Sequence, residues 1–126
     1  MWEKYNPNPH SKLVGDCVIR AVSKATDQEW GEAYLGLCIQ GYVMGDLPSS
    51  NIVWGAYLKR FGFKRNLLPV DCPECYTIDD FCTEHPKGVY VIGTGSHAVS
   101  ICDGKYFDAW DSGQEQPIYY YSRSDM

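Results

Sequence analysis

Val89-Tyr90-Val91-Ile92, followed by His97-Ala98-Val99-Ser100-Ile101-Cys102-Asp103-Gly104-Lys105-Tyr106-Phe107-Asp108, is where the hydrophobic pattern of this 126-residue chain changes period. From here apolar and β-branched residues run in short stretches bounded by glycine, which predicts strands over 89–92, 97–102 and 105–108. Asp103-Gly104 is a two-residue hairpin turn, because both residues tolerate positive φ. A further strand is expected over 118–121.

Before Val89 the spacing is helical. Val18, Val22 and Ala25 share one face of a helix predicted over 17–24. Thr26-Asp27-Gln28-Glu29 has the form of a capping box and opens a second helix to about Gln40, with Trp30, Tyr34, Leu37 and Cys38 at helical spacing. Pro48-Ser49-Ser50 opens a third, in which Val53, Tyr57 and Phe61 recur every fourth residue, with Gly62 as its terminator. Residues 63–70 read as an irregular or short extended connection. Thr77-x-x-Asp80 starts a short helix with Ile78, Phe81 and Cys82 facing inward. Helices first and strands later make an α+β chain, with N-terminal helices packed on a C-terminal antiparallel sheet. The expected organisation is one domain over 1–126: an extended arm at 1–14, a mainly helical part at 15–86 and the sheet at 87–126.

Composition bounds the function. Hydrophobic residues are 44% and charged residues 21% of the chain, as in globular proteins. Sixteen acidic against eleven scattered basic residues give a net charge of −5, so no nucleic-acid partner is expected. No long apolar run and no signal-peptide pattern is visible, so no membrane partner and a cytoplasmic location are expected. In a reducing compartment the six cysteines belong to a core, a metal site or catalysis rather than to disulfides.

One of them has a chemical setting. In Gly15-Asp16-Cys17-Val18-Ile19-Arg20-Ala21-Val22 a small residue and a capping acid place Cys17 at the first position of a helix. Backbone N–H groups there lack intrahelical partners and carry partial positive charge, which favours a thiolate. Read alone, Cys17 also fits a small apolar residue facing the core. The hairpin adds a second observation, since its turn brings the start of one strand beside the end of the next, and these positions hold His97 and Asp108. An imidazole Nδ1–H bonded to the carboxylate would leave Nε2 free to take a thiol proton. Packed against Cys17, the pair completes a nucleophile, a base and an orienting group. Each residue has a plainer reading: His97 bonded to a loop carbonyl, and Asp108 a solvated turn acid.

These residues resemble the papain-like cysteine peptidases. Gly-Asp-Cys at 15–17 matches their nucleophile at the start of the first helix, His97-Ala98-Val99 their histidine, and Asp108-Ala109-Trp110 their Asn-Ser-Trp element with aspartate for asparagine. The chain is also similar to small proteins of bacteria and their prophages that carry Asn-Pro-Asn-Pro, Gly-Asp-Cys-Val-Ile-Arg-Ala and Asp-x-Trp-Asp-Ser at matching places. The resemblance implies a papain-like fold, with Trp110 shielding the histidine pair. The order Cys, His, Asp is shared with transglutaminase-like and arylamine acetyltransferase-like enzymes. The family's oxyanion glutamine is missing, since no glutamine precedes Cys17. Asn8, or else Asn6, placed by Pro7 and Pro9, is the candidate donor. Asp111 is the fallback for the third member.

Cys72-x-x-Cys75 with Cys82-x-x-His85 has ligand types that suit a structural zinc ion, but only six residues separate the pairs, and Cys82 also belongs to an apolar face. Cys38 and Cys102 read as core. The leading expectation is a cysteine-nucleophile hydrolase acting on a peptide, isopeptide or related amide of a peptide or protein substrate, without a cofactor or catalytic metal. A binding module of phage origin with a vestigial triad, and an acyltransferase with the same triad, are the alternatives.

Overall fold

The change of period at Val89 is the boundary between two layers. The computed structural model describes residues 1–68 and 76–123. Chain order is β1 (Trp2–Lys4), α1 (Cys17–Thr26), α2 (Trp30–Met44), α3 (Asn51–Lys59), β2 (Phe63–Leu67), α4 (Ile78–Glu84), β3 (Val89–Gly93), β4 (Ala98–Cys102), β5 (Lys105–Asp108) and β6 (Tyr119–Arg123). The strands form one six-stranded sheet in the order β1-β5-β4-β3-β6-β2. The α+β class is therefore correct.

The expected antiparallel sheet, confined to the C-terminal part, needs correction. The sheet is mixed: β1 runs parallel to β5, with Trp2 opposite Tyr106 and Lys4 opposite Asp108. Part of the expected arm is thus an edge strand, and Trp2 packs onto the cluster formed by Ile78, Phe81, Ile92 and Ile101. No turn links two segments so far apart, so no local signal predicts the pairing. The other edge is β2, antiparallel to β6. Its Phe63 is buried, but Lys64 and Arg65 are exposed, as solvent-facing edge strands tend to be, and this hides the strand pattern.

Each face of the sheet is covered. Val91, Ala98, Tyr119 and Tyr121 face Val18, Val22, Leu37, Trp54 and Leu58 of the first three helices. Ile92, Val99 and Ile101 face Ile78 and Phe81 of α4. Burial of both faces explains why the central strands read as apolar runs. The Asp103-Gly104 turn has φ of 49° and 79°, as a type I′ hairpin requires.

Helix ends depart from expectation for identifiable reasons. α1 continues to Thr26, whose hydroxyl donates to the Val22 carbonyl at 2.7 Å instead of capping the next helix. The capping box of α2 is Glu29 with Glu32. That helix passes through Gly41, where a Cβ would come 2.7 Å from the Asp46 carbonyl, and stops at Gly45, with φ 71°. The Thr77/Asp80 box forms as predicted. No helix among the described residues is long and apolar enough to cross a membrane.

Candidate functional site

Cys17 is the first residue of α1, so its own N–H has no intrahelical acceptor. α1 packs along β4, and His97 immediately precedes that strand. A tight turn holds the histidine backbone: the Thr94 N–H donates to the His97 carbonyl at 3.0 Å. Asp108 ends β5, the other arm of the hairpin. Its carbonyl accepts from Tyr5 N–H at 2.8 Å and from the Trp2 indole at 3.1 Å, so β1 and the residue after it fix the position of the carboxylate.

The structure brings Cys17, His97, Asp108 and Trp110 together. His97 Nε2 meets Asp108 Oδ2 at 2.7 Å. The thiol hydrogen-bonds the same imidazole and also receives the Ala98 N–H. The expected use of the two ring nitrogens is therefore reversed: Nε2 faces the carboxylate, leaving Nδ1 for the thiol. The reason is reach, because Asp108 lies across the strand pair while Cys17 sits at the helix end above Ala98. Trp110, 47% exposed, stacks on the imidazole with ring centres 4.6 Å apart and an interplanar angle of 27°.

Asp108 is fully buried and saturated with donors. Oδ1 takes the Ala109 N–H at 2.8 Å and Arg20 Nη2 at 2.9 Å, while Oδ2 takes His97 and the Ser112 hydroxyl at 2.6 Å. Arg20 Nη1 reaches back to Asp16 Oδ1 at 2.6 Å, and the Trp30 indole donates to Asp16 Oδ2 at 2.9 Å. Asp16 was expected to cap the helix. Its side chain makes no cap bond and serves the buried guanidinium instead, since a buried cation without a carboxylate would be strongly unfavourable. Arg20, Ser112 and Trp30 are members of the site that the sequence reading missed. The available signal was Arg20 itself, a charged residue one turn beyond Cys17 on a helix otherwise packed in the core.

The electrostatics follow. Burial opposes ionisation of Cys17, but the His97 and Ala98 hydrogen bonds and the charges of His97 and Arg20 outweigh it and hold the thiol below its ordinary range. Burial likewise opposes a charged His97, yet its bonds to Asp108 and Cys17 and their negative charges raise it to about 9. Asp108 is held below the usual carboxylate value despite burial, by His97, Ser112 and Arg20. Both shifts favour the charged pair, a protonated imidazole beside a thiolate.

The other candidates make their hydrogen bonds outside this set. The Asn8 hydrogen bonds stay within the arm: Oδ1 accepts from His10 N–H at 2.8 Å, and its own N–H donates to Asn6 Oδ1 at 3.4 Å. Asn6 donates to the Lys12 carbonyl at 3.3 Å. Asp111 accepts from the Tyr106 hydroxyl and from Gly113 N–H, away from His97. Cys72 and Cys75 lie outside the described residues. Cys82 is buried in the core, and His85 stacks on Phe81 with Nδ1 2.9 Å from its carbonyl. No cluster of metal-ligating side chains occurs among the described residues. Cys38 and Cys102, expected in the core, are half-buried.

In comparisons with family models, curated proteins and solved structures, nothing matches the chain.

Proposed function

We propose that the protein is a cysteine-nucleophile hydrolase of papain-like arrangement, acting on an amide bond of a peptide or protein. The observation that carries this reading is the imidazole held between a helix-start thiol and a saturated, buried carboxylate. Cys17 Sγ, as thiolate, attacks the substrate carbonyl carbon, and the carbonyl oxygen becomes an oxyanion facing the free N–H of Cys17. Collapse breaks the C–N bond as imidazolium His97 gives its proton to the leaving amine. Water then attacks the thioester, His97 accepts a water proton, and the C–S bond breaks to return the thiolate and release the acid. Asp108 holds the ring and supports its positive charge throughout. Trp110 keeps water from one face of the ring. Asn8 is the proposed second oxyanion donor, because Oδ1 is occupied by His10 N–H and its amide N–H₂ is left to donate.

Confinement of the Asn8 bonds to the arm favours a second reading, a binding module in which the same triad serves recognition. The deciding experiment is the pH dependence of Cys17 alkylation by iodoacetamide, read by peptide mass spectrometry in the wild type and in His97→Ala. Rapid reaction at pH 5 that disappears in the variant supports the hydrolase. An unshifted midpoint near 8.5 in both proteins rejects it in favour of the binding module.

A further inference from the structure

α2 is apolar on two sides. Its buried residues are Ala33, Leu37 and Gly41, two of them small. Larger apolar residues point the other way: Leu35 is 64% exposed, Ile39 60%, Tyr42 87% and Val43 73%. At 3.6 residues per turn these four occupy a stripe about 100° wide, the width of a face that ordinarily packs on a core. A helix hydrophobic all round is normally buried, yet α2 turns this stripe to solvent.

The stripe continues past the helix end. Tyr42 and Leu47 line one hollow, and Met44 and Ile52 line another. Leu47 is 69% and Ile52 70% exposed. Because Tyr42, Val43 and Met44 are consecutive, the two hollows and the stripe form one patch. Its six most exposed side chains present on the order of 700 Å² of apolar surface, more than the largest patch of a typical monomer and close to the area that each partner gives to a stable interface.

Charge narrows the choice of occupant. Between Glu32 and Asp46 the chain carries no charged residue. These two acids bound the patch, and each accepts a backbone N–H of its own chain, from Glu29 at 2.9 Å and from Leu47 at 2.7 Å. Charge complementarity is what steers and selects a different protein, and the patch offers none. Helices that lie on a membrane surface carry lysine and arginine on their polar side; α2 has neither, in a chain of net charge −5. A second copy needs no such groups. A two-fold axis sets a patch against itself, and permanent homodimer interfaces are the most hydrophobic class.

We propose that the chain forms a two-fold dimer through the outward face of α2, with Ile39 near the middle of the seam and Leu47 and Ile52 at its margin. Glu32 and Asp46 stand at the rim, and each copy is acidic, so like charges oppose association and salt favours it. The dimer does not rest on the hydrolase reading.

The test is sedimentation velocity of the full chain, with a reductant present so that no disulfide contributes. A range of about 1–200 µM covers the weak end of affinities for interfaces of this area. The expected species at the upper end has twice the 14.3 kDa of the monomer and dissociates on dilution. Association should strengthen with added salt, and the melting temperature should rise with protein concentration. Ile39→Glu/Val43→Glu should weaken association by at least about a hundredfold, because four carboxylates would enter an apolar seam. Tyr42→Lys should act in the same direction and decides the matter if the double variant does not fold, as judged by circular dichroism. Leu67→Glu, at a 67% exposed position on the β2 edge, should leave the dimer intact. A monomer at every concentration, or a dimer that survives the α2 variants, overturns the proposal. Loss of the dimer in Leu67→Glu would move the contact to the sheet edge and overturn it as well. So would a monomer that floats with phosphatidylcholine vesicles until Ile39 and Val43 are replaced, since the face would then belong to a lipid surface.

Discussion

The Arg20 guanidinium donates to Asp108 at 2.9 Å with both side chains almost wholly withdrawn from solvent, and its other arm holds Asp16 at 2.6 Å. The member that orients the proposed base is thereby tied to the helix that carries the proposed nucleophile. Triad geometry and α1 packing are one structure.

Arg20→Met should therefore destabilise the fold by about 3–5 kcal/mol, because it strands two buried carboxylates. Arg20→Lys keeps the charge but cannot span both partners, and should lie between the wild type and Arg20→Met. Urea midpoints of Arg20→Met, Asp108→Asn and the double variant give a cycle whose coupling should reach about 0.5–3 kcal/mol. Simple additivity would mean that the pair contributes no specific interaction.

His97 should titrate near 9 by NMR, and lower in Cys17→Ala, which removes one hydrogen bond and one negative charge from the ring. A folded value above the ordinary 6.5 stabilises the protonated folded state. The advantage over His97→Gln should be complete below pH 6.5 and disappear as pH rises through about 9. A His97 midpoint at or below 6.5 would remove the ion pair from the account.

Asp108 carries the opposite sign. Its depressed value stabilises the fold above about pH 4, and that contribution is lost as pH falls through the folded value. Asp108→Asn should flatten the acid limb of the melting temperature against pH and lower the His97 midpoint. An acid limb identical to that of the wild type would place the sensitivity in other carboxylates.

Trp110→Ala removes a ring that is half open to solvent but stacked on the imidazole. The melting temperature should change little, whereas alkylation of Cys17 at pH 5 should slow by about two- to tenfold, the range of a lost aromatic stack. A large fall in stability without a change in alkylation would assign Trp110 to packing.

Asn8→Ala separates the proposed oxyanion donor from the proposed nucleophile. Low-pH alkylation should be unchanged, while turnover of an amide substrate should fall by about 10²–10³. Unchanged turnover would leave the Cys17 N–H without this partner.

What was legible in the sequence follows from what is local. The hairpin turn, the Thr77 box and the helical face of Val18, Val22 and Ala25 depend on neighbours in the chain, and each was readable. His97 and Asp108 were readable because one turn relates them. Arg20 was missed because its two partners lie on opposite sides of it in sequence, one four residues away and the other 88. The choice of imidazole nitrogen was missed because it depends on the depth at which α1 seats on β4. The edge strand β1 was missed because nothing between residues 2 and 106 announces their pairing.

That edge strand has a consequence for biosynthesis. Trp2 and Tyr5 hold the Asp108 carbonyl, so during synthesis these residues wait for partners about a hundred residues behind them. Contacts of such sequence separation form slowly and late. A nascent chain therefore displays Cys17 long before His97 and Asp108 can be joined to it, and the setting of its thiol is complete only once the chain through Asp108 is available to fold.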